Sequence, residues 1–338
     1  MKFKSLKRLY TMRLNKNSYV LLWSLILIIQ GIFIYNIEKI FPKKYFFDSY
    51  TIINAIFKND YSYFDTSYKI IAKVFSIFPL KTLQQYNMVC YLIFLLFFIW
   101  HLCKNSDLKI RTIIFNFIFM ALASIYLIRP GKEFLQFIIL LFCYRWNKLS
   151  PIFLIIGGVL FRKYLIIQGL IFILLKFYLK RKKKILWIVL FLIVGVVISL
   201  MIPDYIEKIL VEIREYVNRD REGSEYAKSI INSLIKRNGV WYAYLNYTLN
   251  TLRLLFPIEL LFRNIKYLPY IVFQLWFTKK LWNWKKRLDE KVILLYSFIL
   301  VSGIFEPDFG SFLRHTVPYL IIVTDLWRKN EKDIIYNK

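Results

Sequence analysis

The sequence predicts an all-α protein: a polytopic transmembrane bundle of about ten helices with both termini in the cytoplasm. Three observations carry this. Near-continuous apolar runs recur at 18–35, 86–103, 112–128, 164–179, 185–202, 292–305 and 316–327. Several reach the roughly 18 to 20 residues a helix needs to cross the hydrocarbon of a bilayer. The 338 residues are 58% hydrophobic and 19% aromatic, richer than a soluble domain. The formal net charge of +28 is gathered in basic clusters between the runs, as in membrane proteins oriented by their loops.

The leader before Ser18 carries Lys2, Lys4, Lys7, Arg8, Arg13 and Lys16 and no acid. It has the charge-then-apolar order of a signal peptide, but bulky "IFIYNIEKIF" stands where small cleavage-site residues would be. It is read as an uncleaved first helix with a cytoplasmic start. Residues 36–85 then form an outer loop with interfacial helices. Following the runs alternately, "KNSDLKIR" (104–111), "RWNKL" (145–149), "KFYLKRKKK" (176–184), 279–291 and the C-terminus fall inside. These inner segments hold 27 of the 49 basic residues and 5 of the 21 acids, which fits the positive-inside rule.

Two regions need separate treatment. The runs 134–144 and 151–161 are short for full spans and read as a shallow hairpin. Residues 203–259 form a large outer loop ending in a re-entrant or interfacial segment. Within "WYAYLNYTLNTLRLLFPIELL", Asn246, Thr248, Asn250 and Arg253 are polar for lipid, and Pro257 breaks the helix. One crossing at about 260–280 then returns the basic stretch 279–291 to the cytoplasm. The whole chain, 1–338, is read as a single integral membrane domain.

This topology gathers boundary charges on the outer side: Arg129, Lys132 and Glu133; Arg162 and Lys163; Arg253 and Glu259; Glu306, Asp308, Arg314 and His315. Taken singly, Arg162–Lys163 reads as snorkelling to headgroups and "RPGKE" (129–133) as a tight turn. His101 reads as a packing residue. Arg314–His315 is harder to dismiss, because ionisable groups at a lipid boundary are costly unless they face protein, water or ligand. Arginine's planar fork suits phosphate oxygens, so the joint occurrence favours an anionic, lipid-linked substrate.

Other chemistries leave no trace. There is no P-loop, GxGxxG, HExxH or acidic metal loop. Cys90, Cys103 and Cys143 are scattered in apolar runs, with neither a disulfide framework nor a zinc site indicated. No metal site and no cofactor are expected.

Four stretches carry a family resemblance: "KYFFDSYTI" after the first helix, "IRPGKEFLQFIILL", "FRKYLII" and "PDFGSFLRHTVPYL". With the helix order and the long outer loop, the chain resembles the Wzy-type bacterial polysaccharide polymerases of O-antigen, capsule and exopolysaccharide clusters, especially their compact EpsG-like branch. It departs at 162–163, where many relatives have His followed by a small residue and this chain has "RK". A role for that His does not carry over, while a basic anchor does.

The resemblance implies a metal-independent, GT-C-like glycosyltransferase of the bacterial cytoplasmic (inner) membrane. It would move a growing glycan from undecaprenyl diphosphate onto a lipid-linked repeat unit at the outer face. A cation cluster of Arg314, Arg129, Lys132, Arg162, Lys163 and Arg253 would meet the diphosphate, and His315, Asp308 or Glu133 would serve as base. The alternative role for His315 is a hydrogen-bond donor to the diphosphate, and the sequence leans that way. Implied partners are the undecaprenyl-diphosphate-linked oligosaccharide and the lipid bilayer, with a flippase and a chain-length regulator left open; nucleic acid is not expected. Competing readings are a lipid-linked oligosaccharide flippase or transporter, a glycan ligase and a membrane O-acyltransferase. Against a flippase, the charges stop at the outer mouth and no internal repeat is visible.

Overall fold

The computed structural model describes residues 15–59, 66–104, 109–180, 239–284 and 289–326, with short stretches between 196 and 235. Among them every regular element is helical, and one isolated bridge joins Ile230 to Asp308. The all-α expectation holds. The chain divides into two compact units: Met1–Phe142, Val159–Arg162 and Thr316–Lys338 form the first, Cys143–Gly158 and Lys163–His315 the second.

In the first unit, α1 (Lys16–Tyr35) starts where the Asn15 side chain accepts the Ser18 N–H at 2.7 Å, satisfying one orphan donor of the first turn. The chain continues through α2 (Ile37–Ile40), α3 (Phe47–Lys58), α4 (Thr66–Ser76), α5 (Leu83–Lys104), α6 (Ile110–Tyr126) and most of α7 (Lys132–Arg145). α1 lies against α5, where the Tyr91 hydroxyl donates to the Leu27 carbonyl at 2.5 Å and Trp23 meets Phe98 edge-on. Gln30, buried in α1, donates to Ser124 Oγ of α6 at 2.8 Å. A ring cluster of Phe94, Phe98, Phe119 and Phe137 fills the space among α5, α6 and α7.

α1 and α5 are long and apolar enough to cross a membrane. On α1, Leu21, Ile28, Ile29 and Ile32 are each more than 60% exposed, a continuous apolar face that water would penalise. The other apolar helices are shorter. α6 has 17 residues, about 26 Å of rise against a hydrocarbon core of about 30 Å. Most of the expected run 185–202 lies outside the described residues, so beyond α1 and α5 the ten-helix bundle rests on the sequence.

The second unit holds α8 (Ser150–Leu160, whose last two residues belong to the first unit), α9 (Tyr164–Lys180), α10 (Pro203–Glu207), α11 (Val240–Leu255), α12 (Glu259–Arg263), α13 (Leu268–Trp284), α14 (Glu290–Phe305) and α15 (Phe309–Thr316, whose last residue belongs to the first unit). The region expected to be interrupted is so. α11 stops before Pro257, α12 follows, and a 3-10 turn at Ile265–Tyr267 leads into α13. α14 is the central helix of this unit, with 11 of its 16 residues buried. It packs on α9, tied by Lys176 to Glu290 at 2.6 Å, and on α11 through Gly303. A Cβ at Gly303 would lie 1.9 Å from Thr251 Oγ1, so glycine is what lets the two helices touch there.

Candidate functional site

In the second unit, the end of α14 and the short α15 build a compact polar corner. Glu306 caps α14, its N–H donating to the Ser302 carbonyl at 2.9 Å. Pro307 turns the chain, and Asp308 opens α15 by accepting the Ser311 N–H at 2.7 Å. The end of the long loop is stitched to this turn: Ile231 N–H donates to the Pro307 carbonyl at 2.9 Å, and Phe309 N–H to the Ser229 carbonyl at 3.1 Å. Phe312 stacks on Phe298 with ring centroids 5.8 Å apart, fixing the rotation of α15. Arg314 and His315 therefore occupy its last turn, both half-buried.

That turn brings His315 back onto Glu306. His315 Nδ1 lies 2.5 Å from Glu306 Oε1, with the carboxylate 4% exposed and the imidazole 12%. A carboxylate accepts only, so the proton of a neutral imidazole sits on Nδ1 and Nε2 keeps its lone pair. The Tyr164 ring flanks His315 at 6.0 Å, while the neighbouring Lys163 is exposed. Arg314 Nε and His315 Nε2 are both enclosed.

Arg253 lies in the same unit with another occupation. Its guanidinium takes Glu259 bidentately at 2.6 and 2.8 Å and donates to the Asn232 carbonyl at 2.6 Å; Arg263 adds a contact to Glu259 at 3.0 Å. This knot fastens α11, α12 and the long loop together. Asp308 is likewise engaged, as the cap of α15.

The first unit holds the remaining sequence candidates. Arg162, 7% exposed, reaches Glu133 Oε1 at 2.6 Å and Gln136 Oε1 at 2.5 Å, and Gln136 contacts the Tyr319 hydroxyl at 3.3 Å. Glu133 is thereby the counter-charge of a buried arginine. Arg129 donates to the Tyr45 carbonyl and lies over the Phe46 ring at 5.8 Å. Ser49 Oγ donates to the Pro130 carbonyl at 2.8 Å. Lys132 Nζ sits 4.0 Å over the Tyr68 ring, whose hydroxyl donates to Asp48 at 2.9 Å. The stretch "KYFFDSYTI" and the turn "RPGKE" thus form one folded piece. Beside it the Tyr50 hydroxyl donates to Glu38 at 2.6 Å; burial first, then this carboxylate, pushes the phenol up to about 12.

Sequence reasoning named Glu306 without giving it a role and missed Gln136 and Tyr68. Gln136 stands three residues after Glu133, on the same face of α7, and that spacing is a usable signal. Nothing periodic marks Glu306, because a proline turn separates it from His315. Among the described residues no group of three or more His, Cys, Asp or Glu is arranged to hold a metal ion. No family model, no curated protein and no solved structure matches this chain.

Proposed function

We propose that this chain is a glycosyltransferase of bacterial surface-polysaccharide assembly. In this reading it is a polymerase that transfers a growing glycan from undecaprenyl diphosphate onto a lipid-linked repeat unit, at the outer face of the cytoplasmic membrane. The observation that carries the reading is the pair of buried Glu306 and half-buried His315, the latter next in sequence to Arg314.

Each member has a task in that chemistry. The acceptor hydroxyl gives its proton to His315 Nε2 as its oxygen bonds the anomeric carbon. The bond from that carbon to the diphosphate oxygen breaks, and Arg314 meets the charge that arrives on the leaving group. Glu306 holds the imidazole by Nδ1 and stabilises it once it is protonated. The carboxylate behind Nδ1 favours the base role over the donor role to which the sequence leans, because it leaves Nε2 as an acceptor. Since Nε2 is enclosed, entry of the acceptor has to displace the side chains that cover it.

Support for the membrane setting comes from α1 and α5, long enough to span, and from the exposed apolar face of α1. Arg129, Lys132 and Arg162 are used in this reading to shape the outer loop, and no step is assigned to a metal or cofactor. Purified protein given a short undecaprenyl-diphosphate repeat unit should produce a ladder of glycan lengths. Transfer of a single unit to another acceptor would identify a ligase instead, and no transfer, with lipid-linked substrate moved across vesicles, a flippase.

A further inference from the structure

A cavity of about 570 Å³ opens between the first half of α1 and the last turn and a half of α5. Nothing in the transferase reading uses it. Val20, Leu27, Ile99 and Leu102 give it apolar walls, and Lys16 stands at one end. From Lys16 to Leu27 the helix rises about 16 Å, a length along which an acyl chain can lie. The volume falls in the range of about 300–1,000 Å³ usual for ligand sites.

Position and charge narrow the occupant. Among the described residues α1 and α5 are the two helices of membrane length, and the residues around the cavity mouth, Val20 and Ile99 among them, are exposed and apolar. The opening therefore faces lipid, and an amphiphile reaches it where a free ion does not. Lys16 is exposed at the helix start. The sequence before it adds Lys2, Lys4, Lys7, Arg8 and Arg13, and no acid occurs before Glu38. That sign favours an anionic headgroup.

We propose that this cavity is a binding site for one anionic phospholipid of the cytoplasmic leaflet, its acyl chain between α1 and α5 and its phosphate on Lys16 Nζ. The proposal rests on the membrane placement and orientation of α1 and is independent of the transferase reading.

Cys103 lines the cavity and is exposed, while Cys90 and Cys143 are buried, so maleimide labelling of the native protein reports on occupancy. In dodecylmaltoside, added phosphatidylglycerol should slow Cys103 labelling about fivefold more than the same mole fraction of phosphatidylcholine, the effect of one lysine at an anionic lipid. Lys16→Gln should erase that difference. Leu27→Trp, which fills the inner end without changing charge, should remove protection by either lipid. Equal protection by the two lipids, a difference that persists in Lys16→Gln, or equal slowing by inorganic phosphate each overturns the proposal. Partition of the protein into detergent, measured beforehand, tests the membrane placement separately.

Discussion

His315 Nδ1 and Glu306 Oε1 lie 2.5 Å apart across a proline turn, with both side chains largely withdrawn from solvent. A bond this close between a carboxylate and an imidazole fixes the ring's tautomer and orientation together. It also separates the two roles open to His315. A base needs the Nε2 lone pair of the neutral ring, whereas a donor through Nε2, with Nδ1–H already on Glu306, needs the ring protonated at both nitrogens.

The first prediction follows from that pair. Glu306→Gln keeps the size of the side chain and removes the charge behind the imidazole, and turnover should fall by about 100-fold, within the usual worth of acid–base assistance. His315→Gln should fall at least as far. The double variant should be no worse than His315→Gln alone, because Glu306 acts through His315. Turnover numbers for the four proteins form the test, with membrane levels as a control. Additive losses would mean that the two residues do not act as a unit.

The second prediction concerns Arg162 and Glu133. Both are nearly fully buried, and removing one partner strands a charge in the interior, at a cost of about 3–5 kcal/mol. Arg162→Ala and Glu133→Ala should each lower the thermal midpoint of the purified protein sharply. Replacing both with apolar residues of similar size, Arg162→Met with Glu133→Leu, should recover much of it. If Arg162 instead serves diphosphate, Arg162→Ala leaves the midpoint in place and changes only substrate affinity.

The fate of these two pairs shows what the sequence could and could not reveal. Helix identity was legible, because period and length are local. α1, α5 and α6 lie close to the apolar runs that announce them, and Pro257 ends α11 where its missing N–H and fixed φ require. Charge placement was legible as composition: the residues singled out do border apolar helices. Pairing was not. Glu133 meets Arg162 and Glu259 meets Arg253, so two residues read as free cations for a ligand are occupied by acids that the reading also had in hand. Nothing along the chain fixes which acid an arginine meets after turns of unknown geometry. Where a helix breaks within an apolar run was only partly legible. Runs that continue as apolar sequence are cut by turns, as at Val317–Tyr319 before the chain resumes as helix from Leu320.

The third prediction is topological. Lys16, Lys182, Lys286 and Lys338 should be cytoplasmic, and Asp60, Arg219 and Asp308 outside, as the bias of basic residues toward one side demands. Single cysteines at these positions, in a background with the three native cysteines replaced, should divide cleanly between membrane-impermeant labelling in intact cells and labelling only after lysis. Labelling of position 286 from outside would show that 240–278 crosses the membrane twice.

The last prediction returns to α15. Arg314 sits one residue before the imidazole, in a turn held by the Phe312–Phe298 stack and the Asp308 cap, so its backbone position does not depend on substrate. In a partly desolvated corner, each charge-assisted bond from its guanidinium to a diphosphate oxygen is worth about 1.5–3 kcal/mol. Two such bonds set the scale of the loss on truncation. Arg314→Ala should therefore make almost no polymer. Arg314→Lys keeps the charge but gives up the planar fork, so it should retain a small part of the activity. Because the charge on the diphosphate grows as the glycosidic bond breaks, the loss should fall mainly on kcat, with a smaller change in KM for the lipid-linked donor. Measuring both constants for the two variants, with protein present in the membrane at normal level, decides the matter. Polymer of normal length and amount from Arg314→Ala would remove Arg314 from the site.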